Sequence, residues 1–95
     1  MKKYKINATY ITRYYDDTSA EHEAQSPASA MSVDELKEYA RELVRLTASE
    51  DEYFRTMTMD DAPSINVDDE YIDIVFDFTE GDFTTDIRVS FTVEA

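Results

Sequence analysis

Adjacent carboxylates are the side chains of this sequence whose type could support chemistry. They occur at Asp16-Asp17, at Asp60-Asp61 and at Asp68-Asp69-Glu70. Paired acids can act as general acid and base, or they can hold a divalent cation. Neighbouring side chains point apart in an extended chain, so adjacency alone does not build a site. The calcium-loop pattern Asp-x-Asp-x-Asp-Gly is also absent, and we therefore predict no metal site and no cofactor.

Other catalytic side chains are scarce. The sequence has no cysteine, one histidine and one glycine, which excludes thiolate zinc sites, cysteine nucleophiles, multi-histidine metal sites and phosphate loops. No Gly-x-Ser-x-Gly motif surrounds any serine, so no nucleophile elbow is present. We interpret His22, which lies between two glutamates, as a solvated loop residue. The sequence therefore predicts that the protein is not an enzyme.

Acidity is the largest departure from an average composition. The net charge is −13, and residues 50–95 hold fourteen acids against Arg55 and Arg88 alone. Such a charge repels nucleic acid and anionic membranes and attracts basic surfaces. We predict a basic, nucleic-acid-binding protein as the partner, with no direct contact to nucleic acid or membrane. The predicted partner-binding residues are Asp60, Asp61, Asp68, Asp69, Glu70, Asp73, Asp77, Asp82 and Asp86. The alternative is that the acids only keep the protein soluble.

The length and hydropathy of the chain predict its domain organisation and its location. Ninety-five residues predict a single domain over 1–95, with a flexible loop over residues 16–31 that is rich in Ser, Ala and Glu. The apolar runs are far too short to span a membrane, and the N-terminal residues lead into no apolar signal core. We therefore expect a cytoplasmic protein.

The first half of the sequence predicts a strand and a helix. Residues 4–15 alternate with a period of two in residues that favour strands. Residues 33–47 place apolar side chains at helical spacing, and Ser32 and Glu35 form a capping box in front of them. Residues 53–59 are a candidate short strand. Thus the acidic second half follows one strand and one helix.

The second half predicts a β-hairpin. If Glu80-Gly81 form its tip, the apolar side chains of both strands fall on one face. This register places Asp73 opposite Arg88, as a cross-strand ion pair. The predicted fold class is α+β, a small antiparallel sheet of three to four strands in the order β-α-β-β-β, with one helix packed on one face.

The acids from Glu50 to Asp86, the small size, the absence of cysteine and the single glycine together resemble a known class of proteins. These are the small acidic nucleic-acid mimics of phages and mobile elements, among them anti-restriction and anti-CRISPR proteins. The resemblance implies an inhibitor that occludes the nucleic-acid-binding site of a basic nuclease or effector complex. The alternative is an immunity or accessory protein that neutralises a cognate protein by shape, with Tyr14, Tyr15 or Phe54 as aromatic anchors. The sequence leaves the oligomeric state open.

Overall fold

The secondary structure consists of two strands, one helix and four further strands. A computed structural model describes residues 2–94. The elements are β1 (Ile6–Tyr14), β2 (Ser19–Ala24), α1 (Val33–Glu50), β3 (Thr58–Met59), β4 (Ser64–Val67), β5 (Tyr71–Glu80) and β6 (Phe83–Val93). All strands join one antiparallel sheet in the order β2-β1-β6-β5, and both β3 and β4 pair with the remaining edge of β5. The predicted fold class, a sheet of three to four strands in the order β-α-β-β-β, is therefore wrong, because the described residues form six strands and two of them precede the helix.

Strand β2 is the first source of that error. It lies inside residues 16–31, which we predicted to be a flexible loop, and it pairs with β1 from Thr9 opposite Ala24 to Tyr14 opposite Ser19. Its six residues are Ser, Ala, Glu and His, and none of them is buried. Backbone hydrogen bonds to β1 hold this edge strand, so its own side chains give little strand signal.

The segment after the helix is the second source of error. Only Thr58–Met59 of the predicted strand over residues 53–59 is a strand, because the chain first makes turns that bury Phe54. The four residues of β4 are all exposed and pair with β5 from Ser64 opposite Val75 to Val67 opposite Ile72. Ile65 and Val67 do alternate with polar residues, but a run of four residues is at the lower limit of this signal, and we did not predict a strand there.

The hairpin of β5 and β6 forms as predicted, but its register is shifted by two residues. The turn residues are Gly81 and Asp82, and Glu80 pairs with Phe83. Gly81 has φ of 62°, and no other described residue has positive φ, which is the pattern of a type II′ turn. A two-residue shift leaves every side chain on its face, so the apolar alternation could not exclude it.

The shift changes the partners of the charged residues. Asp73 lies opposite Ser90, and the predicted pair of Asp73 with Arg88 is wrong. Arg88 lies opposite Val75 instead. The acid Asp77 lies directly opposite Asp86.

One face of the sheet carries the core. Helix α1 begins at the predicted capping box, where Ser32 accepts from the backbone N–H of Glu35 at 3.2 Å and donates its own N–H to that side chain at 3.0 Å. The helix contacts β5 and β6. The core consists mainly of side chains that are at most 2% exposed, namely Ile11, Leu36, Ala40, Val44, Phe54, Ile72, Ile74, Phe76, Phe78, Ile87, Val89 and Phe91. We call the opposite face of the sheet, which α1 does not cover, the outer face.

In the part of the chain from residue 2 to residue 94, no helix combines the length and the hydropathy needed to cross a bilayer.

Candidate functional site

The nine predicted partner-binding acids lie in four places. Asp60 and Asp61 lie between β3 and β4, Asp68 to Glu70 lie between β4 and β5, Asp82 lies in the hairpin turn, and Asp73, Asp77 and Asp86 lie on the outer face. Strand β5 separates the turn that contains Asp68 to Glu70 from the hairpin turn that contains Asp82. Its ten residues span about 30 Å at the usual rise per residue. The nine acids therefore do not meet in one patch, and most of them follow the length of the hairpin.

Asp77 and Asp86 are a pair of acids on neighbouring strands of the outer face. They are directly opposed across β5 and β6, an arrangement in which like charges destabilise a sheet. Burial is the main reason that the pKa of Asp86 is raised; the charge of Arg88 lowers it, and the charge of Asp77 raises it further. The repulsion between the two carboxylates therefore destabilises the free protein.

Arg88 is the basic residue beside these acids on the outer face. Its guanidinium stacks over the ring of Tyr14, with 5.4 Å from Cζ to the ring centroid. The salt bridges found between residues 2 and 94 include none to Arg88, and none to Asp73, Asp77 or Asp86. The outer-face carboxylates are therefore free to meet cations from outside.

The N-terminal lysines do not neutralise the predicted acids. Lys3 pairs with Glu35 at 3.8 Å, and Lys5 pairs with Glu94 at 3.3 Å. Of the nine acids, Asp61 alone takes part in a salt bridge between described residues, with Arg45 at 3.9 Å. Its backbone carbonyl also accepts from Arg41 at 2.8 Å. Asp61 therefore lies beside the helix, whereas the backbone N–H of Asp60 donates to the carbonyl of Asp77 on β5 at 2.8 Å.

Two acids of the outer face were missed from the sequence. Glu21 and Glu23 lie on β2, opposite Thr12 and Tyr10, and both are exposed. Thr12 donates its hydroxyl to Glu21 at 3.3 Å. The alternation of these two glutamates with Ala20, His22 and Ala24 was the available signal, but it is weak without an apolar face.

The aromatic anchors of the alternative hypothesis are mostly not available. Phe54 is 1% exposed, so its prediction as an anchor is wrong. Tyr15 donates its hydroxyl to Asp51 at 2.8 Å, and its ring makes an edge contact with the ring of Tyr53. Tyr14 remains on the outer face beneath Arg88.

The histidine and the acids form no grouped metal site. His22 is exposed on β2, opposite Ile11. Between residues 2 and 94, no three His, Cys, Asp or Glu side chains are grouped so that they could hold a metal ion.

Known proteins offer no guide to the role of this surface. No protein-family model, no curated protein and no solved structure matches this chain. Its function is therefore argued from its own surface.

Proposed function

We propose that this chain is a non-enzymatic acidic protein that occludes the nucleic-acid-binding site of a basic nuclease or effector complex. The observation that carries the proposal is the series of acids along the β5–β6 hairpin, which have no salt bridge to any residue from 2 to 94. Inhibition of this kind is what anti-restriction and anti-CRISPR proteins of phages and mobile elements provide. We also propose that the protein acts in the cytoplasm.

The spacing of these acids supports the proposal. Seven of the nine predicted acids follow the hairpin, namely Asp68, Asp69, Glu70, Asp73, Asp77, Asp82 and Asp86, and Glu80 at the end of β5 is an eighth. Over about 30 Å of strand they provide roughly one charge per 4 Å, against one per about 3.4 Å in a single strand of B-DNA. The hairpin thus approaches the charge density of one DNA strand, and it has less than half that of the duplex.

The electrostatic cost of the free surface also supports the proposal. Asp77 and Asp86 repel each other, and a cationic groove would relieve this repulsion as it binds. The same charges repel nucleic acid and anionic membranes, so we propose no direct contact with either.

The proposal is tested by competition for DNA. The chain is titrated into cleavage reactions of restriction endonucleases and of CRISPR effector complexes, with fluorescent duplex DNA as substrate. Inhibition should weaken steeply between about 50 and 500 mM salt, because the screening length falls to about 4 Å. Inhibition that is independent of salt would point to shape-specific contacts instead, and no inhibition of either class would contradict the proposal.

Matched variants locate the surface. Charge reversal of Asp68, Asp69 and Glu70 to lysine should abolish inhibition, and neutralising Asp73, Asp77 and Asp86 to asparagine should weaken it. The control removes three exposed acids of the helix by Glu→Gln substitution at Glu38, Glu42 and Glu50. Equal loss in the control would show that only net charge matters, and this would reject the hairpin as the binding surface.

A further inference from the structure

A second acidic feature lies at the end of the sheet that carries the β5–β6 turn. Three turns meet there around an open cavity of about 370 Å³. We call it the tip cavity, and its lining residues are Asp16, Glu52, Tyr53, Thr56, Met57, Glu80 and Phe83. Of these residues, none belongs to the nine predicted acids.

Two aromatic rings form walls of the tip cavity. The rings of Tyr53 and Phe83 stand almost perpendicular, at 84°, with their centroids 6.1 Å apart. The ring of Tyr53 also makes edge contacts with the rings of Tyr15 and Phe54. Phe83 remains 38% exposed. A large aromatic ring therefore stays in contact with solvent beside the acidic turn of the hairpin.

Carboxylates stand beside both rings. Asp16 accepts a hydrogen bond from the hydroxyl of Tyr53 at 3.0 Å, and Glu80 accepts one from the hydroxyl of Thr56 at 3.0 Å. Glu52 is the third acid of the lining. No salt bridge within residues 2–94 involves these three acids, so the cavity carries negative charge without a cation.

The pKa of the Tyr53 phenol is raised in these surroundings. Burial is the first cause of its raised pKa. The hydrogen bond to Asp16 and the charges of Asp16, Asp17 and Glu80 raise the pKa further. Each of these influences acts in the same direction, and none of them is a positive charge.

We infer that the tip cavity binds an arginine side chain of a partner protein, an inference that rests on the proposed function because it names the chemistry of that partner. A guanidinium group stacks on aromatic faces and donates to carboxylates along its edges, and both kinds of wall are present here. A calcium or magnesium ion would need six or more oxygen ligands, which the lining does not group together. The aromatic walls distinguish this site from a solvated group of acids.

The inference is tested by NMR titration of the full chain with N-acetylarginine amide. The neutral isostere N-acetylcitrulline amide has the same shape without the charge and serves as the ligand control. The arginine derivative should shift the ring resonances of Tyr53 and Phe83 and the amide of Thr56 in a saturable manner. Glu80→Gln and Phe83→Leu should each weaken binding by about two- to fivefold, as expected for one exposed cation–π or ionic contact.

The protein control is Glu38→Gln, which removes one charge from an exposed side chain of α1 outside the tip cavity and should leave the titration unchanged. The inference is overturned if citrulline produces the same shifts, if Glu80→Gln and Phe83→Leu bind like the parent protein, or if the shifts centre on the turn that contains Asp69. Thermal melts of each variant verify the fold.

The two proposals can fail separately. If the arginine derivative does not bind but the chain still inhibits DNA cleavage, the tip-cavity inference is wrong and the proposed function stands. If the arginine derivative binds but cleavage is never inhibited, the proposed function is wrong. When both hold, Phe83→Leu should also reduce inhibition, by a factor similar to its effect on arginine binding.

Discussion

The carboxylate of Asp51 joins three segments of the chain at the end of α1. Its Oδ2 accepts from the guanidinium of Arg13 at 3.1 Å and from the hydroxyl of Tyr15 at 2.8 Å. Its Oδ1 accepts from the backbone N–H of Tyr53 at 2.8 Å. The Asp51 side chain is 10% exposed, and that of Arg13 is 25% exposed. Replacing Asp51 with Asn keeps the size of the side chain and removes its charge.

The expected loss of stability follows from which hydrogen bonds to residue 51 remain in the variant. In the Asp51→Asn variant, the amide oxygen can still accept from the backbone N–H of Tyr53. The amide nitrogen would then face the donors of Arg13 and Tyr15, and only the tyrosine hydroxyl can rotate to accept. One charge-assisted hydrogen bond is lost, which costs about 2 kcal/mol. For a domain of this size, the melting temperature should fall by about 10 °C.

The pH dependence of this effect has a definite sign. Burial raises the pKa of Asp51, but hydrogen bonds from Tyr15 and the N–H of Tyr53, together with the charge of Arg13, outweigh it and lower the pKa below its ordinary value of 3.8. An acid whose pKa is lower in the folded state stabilises the fold above its unfolded pKa. The advantage of the parent protein over Asp51→Asn should therefore be full above the unfolded pKa of about 3.9 and vanish as the pH falls through the folded value.

The assay is urea denaturation, followed by circular dichroism, between pH 7 and pH 2.5. The control is Glu52→Gln, which removes a neighbouring charge from an exposed side chain and should change stability by less than about 0.5 kcal/mol. The other carboxylates titrate alike in parent and variant, so the difference between the two isolates Asp51. A difference below about 0.5 kcal/mol at pH 7, or one that persists unchanged to pH 2.5, would refute this account.

Three further substitutions test the fold and the outer face. Gly81→Ala should cost about 1 kcal/mol in urea denaturation, because φ is 62° and an added Cβ meets no atom within 4 Å, so only backbone strain remains. Asp77→Asn should stabilise the protein by a few tenths of a kcal/mol and lower the pKa of Asp86 in an NMR titration, since it removes the opposed charge. Ser32→Ala should cost about 1 kcal/mol, measured by thermal melting, because the N–H of Glu35 loses its acceptor. No change in any one of these measurements would contradict the contact it tests.

The acidity of the hairpin surface was visible in the sequence, but its arrangement was not. The composition predicts where charge accumulates along the chain, because each acid carries its charge wherever it lies. The hairpin acids remain free of salt bridges between residues 2 and 94, whereas Asp61 lies against Arg45 on the helix. Glu21 and Glu23 joined the outer face only because β2 pairs with β1.

Several elements of the fold have local signals that are readable in the sequence. The alternation in β1, the capping box of α1 and the faces of β5 and β6 depend on neighbours a few residues apart, so a short window predicts them. The tertiary structure alone decided the edge strands β2 and β4, the hairpin register and the tip cavity. Edge strands are held by backbone hydrogen bonds that carry no side-chain signal, and a two-residue register shift preserves the alternation. The cavity joins Asp16, Tyr53 and Glu80, which are far apart in sequence and meet only because the turns of three separate elements end at the same side of the sheet.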